Sequence, residues 1–143
     1  MHFCLLDSVI EQAADRIVTI KQVTAAEEYL QDHFPGFPVL PGVFMIEALV
    51  QAGRRMLEAR PELRSTRLVL GGVRALKYGS FVRPGQTLRV EVSLAKALDD
   101  GSFELRGEGI VLSFGHEVTN TSAPVDPAPT AVSGKFTLRP VRL

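Results

Sequence analysis

The sequence has no tryptophan, one cysteine and no excess of either charge. With Cys4 alone there can be no internal disulfide, which fits the reducing cytoplasm expected for this chain. Sixteen Lys and Arg side chains balance sixteen Asp and Glu, so no global field draws the protein to nucleic acid or to an anionic membrane surface. Charge, proline or glycine interrupts every apolar run before it reaches the roughly 18 residues a spanning helix needs. Membrane insertion is therefore not expected. The opening MHFCLLDSVIEQAADR carries too short an apolar stretch for an export signal, with Asp7 and Glu11 close behind it.

What is present is ordinary for a globular protein: 143 residues, 45% hydrophobic and 22% charged. One domain over residues 1–143 is the expectation. FCLLDSVIEQ and RIVTIKQV flank a polar break at Ala13 to Asp15 and read as an opening hairpin. Thr24 and Glu27 have capping-box spacing, predicting a short helix to about Gln31, next to His33. The following HFPGFPVLPG holds three prolines and two glycines and must be a stiff loop. VFMIEALVQAGRRMLEAR then runs free of proline and predicts the one long helix. On it Glu47, Gln51, Arg54, Arg55 and Glu58 share a stripe. Val43, Met45, Ile46, Leu49, Val50, Gly53, Met56 and Leu57 fill the rest.

So wide an apolar circumference calls for a sheet wrapped around the helix. Thr87 to Leu98 alternates as a half-buried strand, Asp99 to Ser102 turns the chain, and Arg67 to Lys77 and Val132 to Val141 are further strands. Phe103 and Leu105 point odd positions inward but Ile110, Leu112 and Phe114 point even ones, which predicts a bulge near Gly107 and Gly109. SAPVDPAP reads as a proline-rich loop. The fold class is α+β, an antiparallel sheet around one central helix.

Of three histidines, His2 lies at a terminus and His116 beside a loop, whereas His33 borders the rigid loop fourteen residues before Glu47. A base and an acid at that spacing can line one pocket. Each has an ordinary reading too: His33 as a structural histidine, Glu47 as a solvated carboxylate, Gly42 as a tight turn. Against these, Val43, Phe44, Ala48 and Val50 surround Glu47 and would favour its neutral form. The free amides at the helix start, including that of Gly42, can hold an oxyanion. No metal-ligand spacing, phosphate-binding glycine fingerprint or G-x-S-x-G elbow competes, and KYGSFVRPG is too short a basic patch to argue for nucleic acid. A metal-free acid–base site remains.

DHFPGFPVLPGVFMIEALVQAG, residues 32–53, closely resembles the signature of FabZ-type 3-hydroxyacyl-acyl-carrier-protein dehydratases of the FabA/FabZ superfamily. FCLLDSVIEQAADRIVTIKQVT and KYGSFVRPGQTLRVEV extend the likeness, which fades after Phe114. The resemblance implies a hot-dog fold and a homodimer with shared active sites, with a trimer of dimers as a further assembly. It implies reversible dehydration of a (3R)-3-hydroxyacyl thioester, without a cofactor. His33 matches the catalytic base, the partner subunit's Glu47 the acid and the Gly42 amide the oxyanion donor. Phe34, Pro35, Gly36, Pro41, Val43 and Gln51 become candidates for the acyl tunnel and its loops.

Relatives that also isomerise the double bond usually carry Asp at the position of Glu47, so glutamate here favours simple dehydration. The chain departs from the pattern at Phe37, at Gln86 in place of the usual Asp, in a shorter segment ahead of Phe3, and in an extended stretch from Gly115 to Ser133. The implied setting is fatty-acid synthesis or a specialised, polyketide-like pathway. Acyl carrier protein is the expected partner, with Arg54, Arg55, Arg74, Lys77 and Arg83 as a docking patch. The alternatives are a hot-dog thioesterase, which would free a thiol instead of eliminating water, and an acyl-binding protein without activity.

Overall fold

The computed structural model describes residues 3–113 and 128–141. Six strands, β1 (Ser8–Gln12), β2 (Arg16–Gln22), β3 (Leu68–Tyr78), β4 (Gln86–Ala97), β5 (Phe103–Ser113) and β6 (Thr130–Pro140), form one sheet in the order β1-β2-β4-β5-β6-β3. Every pairing is antiparallel. Helix α1 (Gly42–Glu58) packs against β2, β3, β4, β5 and β6. This is the α+β hot-dog arrangement, as the apolar girth of the helix demands.

The helix buries Met45, Ala48, Leu49, Val50, Ala52, Gly53, Met56 and Leu57. Across from them stand Ile17, Leu88, Val90, Val92, Leu105, Val132, Phe136 and Leu138 in one core. Small residues let the two layers approach. A Cβ on Gly53 would stand 3.1 Å from Leu105, and one on Gly107 would stand 2.9 Å from Leu49. Val43, grouped by periodicity with the apolar side, is instead 65% exposed at the helix start.

Several local expectations change. β1 starts at Ser8, because Phe3 to Leu6 does not pair with β2 but runs beside the helix, with the Leu5 amide bonded to Gln51. The bulge is not in β5: odd positions Phe103, Leu105, Gly107, Gly109 and Val111 all stay buried. Gly107 and Gly109 carry no side chain, so the pattern lost its phase where the strand kept it. The irregularity sits in β4 between Leu94 and Lys96, with another on the β6 side opposite Gly109 and Ile110. β4 ends at Ala97, one residue short of Leu98, and Gly101 turns the chain at φ 85°. Thr130 to Ser133 belong to β6, while Phe114, His2, His116 and most of the extended stretch lie outside the described residues.

The capping box does not form. Only a single 3₁₀ turn, Glu28–Leu30, appears, and its cap position makes no side-chain bond. The Glu27 carboxylate is taken by Lys21 Nζ at 2.5 Å and by the Tyr29 hydroxyl at 2.6 Å. Burial works against the charge on Lys21, yet the bond to Glu27 and the nearby Asp7 hold its ammonium above the ordinary lysine value. A largely buried ion pair outcompetes a solvent-exposed cap.

Two outcomes follow. A Cβ on Gly79 would lie 2.2 Å from the Thr130 carbonyl oxygen, whereas one on Gly72 meets nothing. Gly79→Ala is expected to cost about 2 kcal/mol in urea unfolding and Gly72→Ala less than about 1. Glu27→Gln is expected to cost about 2 kcal/mol at pH 7, because it strips a buried cation of its partner. A lysine raised in the folded state stabilises fully below its ordinary value, so the wild-type advantage should fade as pH climbs through the raised one; an advantage unchanged in strong alkali would contradict this.

Candidate active site

His33 is held by its own loop. The Val39 amide donates to the His33 carbonyl at 2.8 Å, and the ring Nδ1 lies 2.9 Å from the Val39 carbonyl. A carbonyl only accepts, so the neutral imidazole bonded this way carries its proton on Nδ1. Nε2 is left with a free lone pair. Between these ties, Phe34 and Phe37 exchange two backbone bonds of 2.9 Å around Pro35 and Gly36, with Gly36 at φ 74°. This is the turn that proline followed by glycine favours. The Phe34 ring stacks on His33 at 4.4 Å, and the Leu40 amide bonds Val82 to fix the loop to the segment before β4.

Two departures from the family pattern find their place beside this loop. Phe37 packs edge-on against Phe81 at 5.7 Å, beneath the Arg83 guanidinium at 4.4 Å. Gln86 Oε1 accepts from the Arg83 amide at 2.8 Å, the turn-capping bond a shorter acid would also make, and its Nε2 adds a bond to Ser113 Oγ at 3.0 Å that no carboxylate could donate.

Pro41 caps the helix and Gly42 is its first residue. The amides of Phe44 and Met45 return to the Pro41 carbonyl. The amide of Gly42 opens the helix, where no intrahelical acceptor exists. A Cβ on Gly42 would stand 2.8 Å from the Tyr78 ring, so glycine is what lets this tyrosine reach the helix start. Sequence reasoning passed over Tyr78 because KYGSFVRPG was weighed as a basic patch and as part of the family likeness, neither of which singles out the tyrosine.

One turn further on, Glu47 is half-buried and its Oε1 accepts from Gln51 Nε2 at 3.0 Å. Both line a groove of about 730 Å³, together with Arg54, Arg55 and Glu58 of the helix and with Phe3, Cys4 and Leu6 of the segment beside it. The predicted polar stripe of the helix is the floor of this groove.

Phe34 and Gly36 line a separate hollow of about 210 Å³, and His33 lines neither. Neither hollow therefore holds both His33 and Glu47. The five cations disperse. Arg54 and Arg55 border the groove, Arg74 pairs with Glu104, Arg83 lies on Phe37, and Lys77 borders a depression on the sheet. Among the described residues, no three His, Cys, Asp or Glu side chains gather as a metal would need. Nor is any helix there long and apolar enough to cross a membrane.

The family model described as ApeI-like, ApeI dehydratase, matches residues 9–115. The chain belongs to the ApeI-like dehydratase family. It is 42% identical over 117 residues to the 3-hydroxyacyl-acyl-carrier-protein dehydratase FabZ of Enterococcus faecalis, covering 81% of each chain. It is 36% identical over 132 residues to the FabZ of Thermomicrobium roseum, covering 84% of this chain and 89% of that one. Among solved structures it resembles the dehydratase heterocomplex ApeI:P from Xenorhabdus doucetiae, with a TM-score of 0.61 at 17% identity, covering 93% of this chain and 95% of that one. That likeness carries the fold. Membership of a dehydratase family decides against the thioesterase reading and makes this chain an ApeI-like hydro-lyase.

The loop of this dehydratase yields a direct test. Gly36 has open space around it but a left-handed backbone. Gly36→Ala is expected to lose about 1 kcal/mol from conformation alone, read as a lower urea midpoint with an unchanged slope; no loss would show that the turn relaxes freely.

Proposed function

We propose that this dehydratase removes water from (3R)-3-hydroxyacyl thioesters on acyl carrier protein, giving trans-2-enoyl thioesters, in fatty-acid-type chain assembly in the cytoplasm. The observation that carries the mechanism is the 2.9 Å contact of His33 Nδ1 with the Val39 carbonyl, which frees Nε2 to act as a base. Nε2 takes the C2 proton, made acidic by the thioester. The C–H electrons form the C2–C3 double bond, the C3–O bond breaks, and Glu47 protonates the departing oxygen as water. The Gly42 amide stabilises the enolate oxygen that forms in passing. Proton transfer of each kind is typically worth on the order of 10² to 10⁴ in rate, and one oxyanion donor on the order of 10² to 10³.

The site we propose is composite, His33 of one protomer facing the partner's Glu47 in a homodimer. Two features support it: the groove holding Glu47 is open on the surface of the single chain, and His33 lies outside it. Phe34 and Val43, 52% and 65% exposed, are apolar surface that a second copy and an acyl chain would cover.

His33→Ala and Glu47→Gln are each expected to lower enoyl formation by about 10² to 10⁴; unchanged rates in both would reject the assignment. Mixing the two inactive variants separates the geometries. With random exchange between dimers, a composite site restores about a quarter of wild-type activity. A mixture as inactive as its parents would place both groups in one chain.

A further inference from the structure

We infer that the backbone of Phe3 to Leu5 is a positioning element for the Glu47 carboxylate, acting through the side-chain amide of Gln51; this rests on the role proposed for Glu47. Gln51 Nε2 donates to the Phe3 carbonyl at 2.8 Å and to Glu47 Oε1 at 3.0 Å, while its Oε1 accepts from the Leu5 amide at 2.9 Å. Both N–H donors of the amide are thus engaged, together with one of its oxygen lone pairs.

Two of those partners have fixed polarity. A backbone carbonyl only accepts and a backbone N–H only donates, so the flipped amide would set oxygen against oxygen and N–H against N–H. The N-terminal strap therefore decides that Gln51 shows its donor side to Glu47. Because Oε1 receives that hydrogen bond, Oε2 is the oxygen left to carry the acidic proton. Freed of the strap, the glutamine would sample both flips and several rotamers.

The strap is itself anchored on the element it serves. The Phe3 ring packs on Phe44 at 5.0 Å and on Tyr29 at 5.7 Å, and Leu5 is 1% exposed within the core. Just beyond, the Asp7 amide bonds the Ile20 carbonyl and its carboxylate accepts from the Gln22 amide at 2.7 Å. Phe44, Glu47 and Gln51 belong to one helix, so anchor, relay and acid move as one body.

The experiment is steady-state dehydration by Phe3→Ala, Phe3→Tyr, Gln51→Leu, the Phe3→Ala/Gln51→Leu double variant and Glu47→Gln, with thermal melts alongside. Phe3→Ala is expected to lower kcat about tenfold with KM within about twofold, since it loosens the acid and not the substrate. Phe3→Tyr, which keeps the ring anchor, should retain wild-type kcat. The double variant should be no slower than Gln51→Leu alone, because the strap works through that amide. Losses that multiply, or an unchanged kcat in a folded Phe3→Ala, overturn the inference. If Phe3→Ala does not fold, Phe3→Leu asks the same question with a smaller loss of contact. Wild-type kcat in Glu47→Gln would remove the acid role and this inference with it. An inactive Glu47→Gln beside multiplying losses would remove this inference alone.

Discussion

Everything in this molecule depends on how closely a 17-residue helix can approach one face of a six-stranded sheet. The approach is set by side chains that are missing. Gly53 on the helix leaves room for Leu105, Leu138 and Phe136, and Gly107 on β5 leaves room for Leu49. Interiors pack at crystalline density, so a methyl group at either place forces its neighbours to move. Held this tightly, the helix has a fixed rotation about its axis. Its N-terminus and its polar stripe then point where the sheet dictates, and Gly42, Glu47 and Gln51 take their directions from that one fit.

Much of this is legible in the sequence because burial imposes a period. The proline-free run after Pro41 announces the helix, and the alternation of Leu88, Val90 and Val92 announces the face of β4. The reading fails where a residue is silent or has a second use. Gly107 and Gly109 are inward-facing yet write nothing into the hydrophobic pattern, so the apolar residues beyond them suggested a phase change the strand does not make. Glu27 stands at capping distance from Thr24, but the buried Lys21 of β2 claims it, and the capping-box spacing does not report a partner on the preceding strand.

The site divides the same way. The stripe bearing Glu47 and Gln51 follows from helical geometry, and the stiffness of the His33 loop follows from its prolines. The bond that fixes the imidazole tautomer depends on the loop doubling back at Gly36 to bring Val39 beside His33, which composition alone does not specify. Nor does it specify that Phe3 and Leu5 close on Gln51 across more than forty intervening residues. The five cations are spread over three places in the chain, Arg54 and Arg55 on α1, Arg74 and Lys77 on β3, and Arg83 in the turn before β4, and no local period links them.

The bond between Nδ1 of His33 and the Val39 carbonyl has one more consequence. Nδ1 is a donor whether the ring is neutral or cationic, and the carbonyl is an acceptor in both cases. A proton can therefore arrive at and leave the far nitrogen without any hydrogen bond having to reverse its sense. The carbonyl dipole already points its negative end at the ring before charge appears there, so little reorganisation accompanies the change of charge. For the base role proposed for His33, the loop thus holds the imidazole as a fixed electrical contact, prepared for the cation which that role requires.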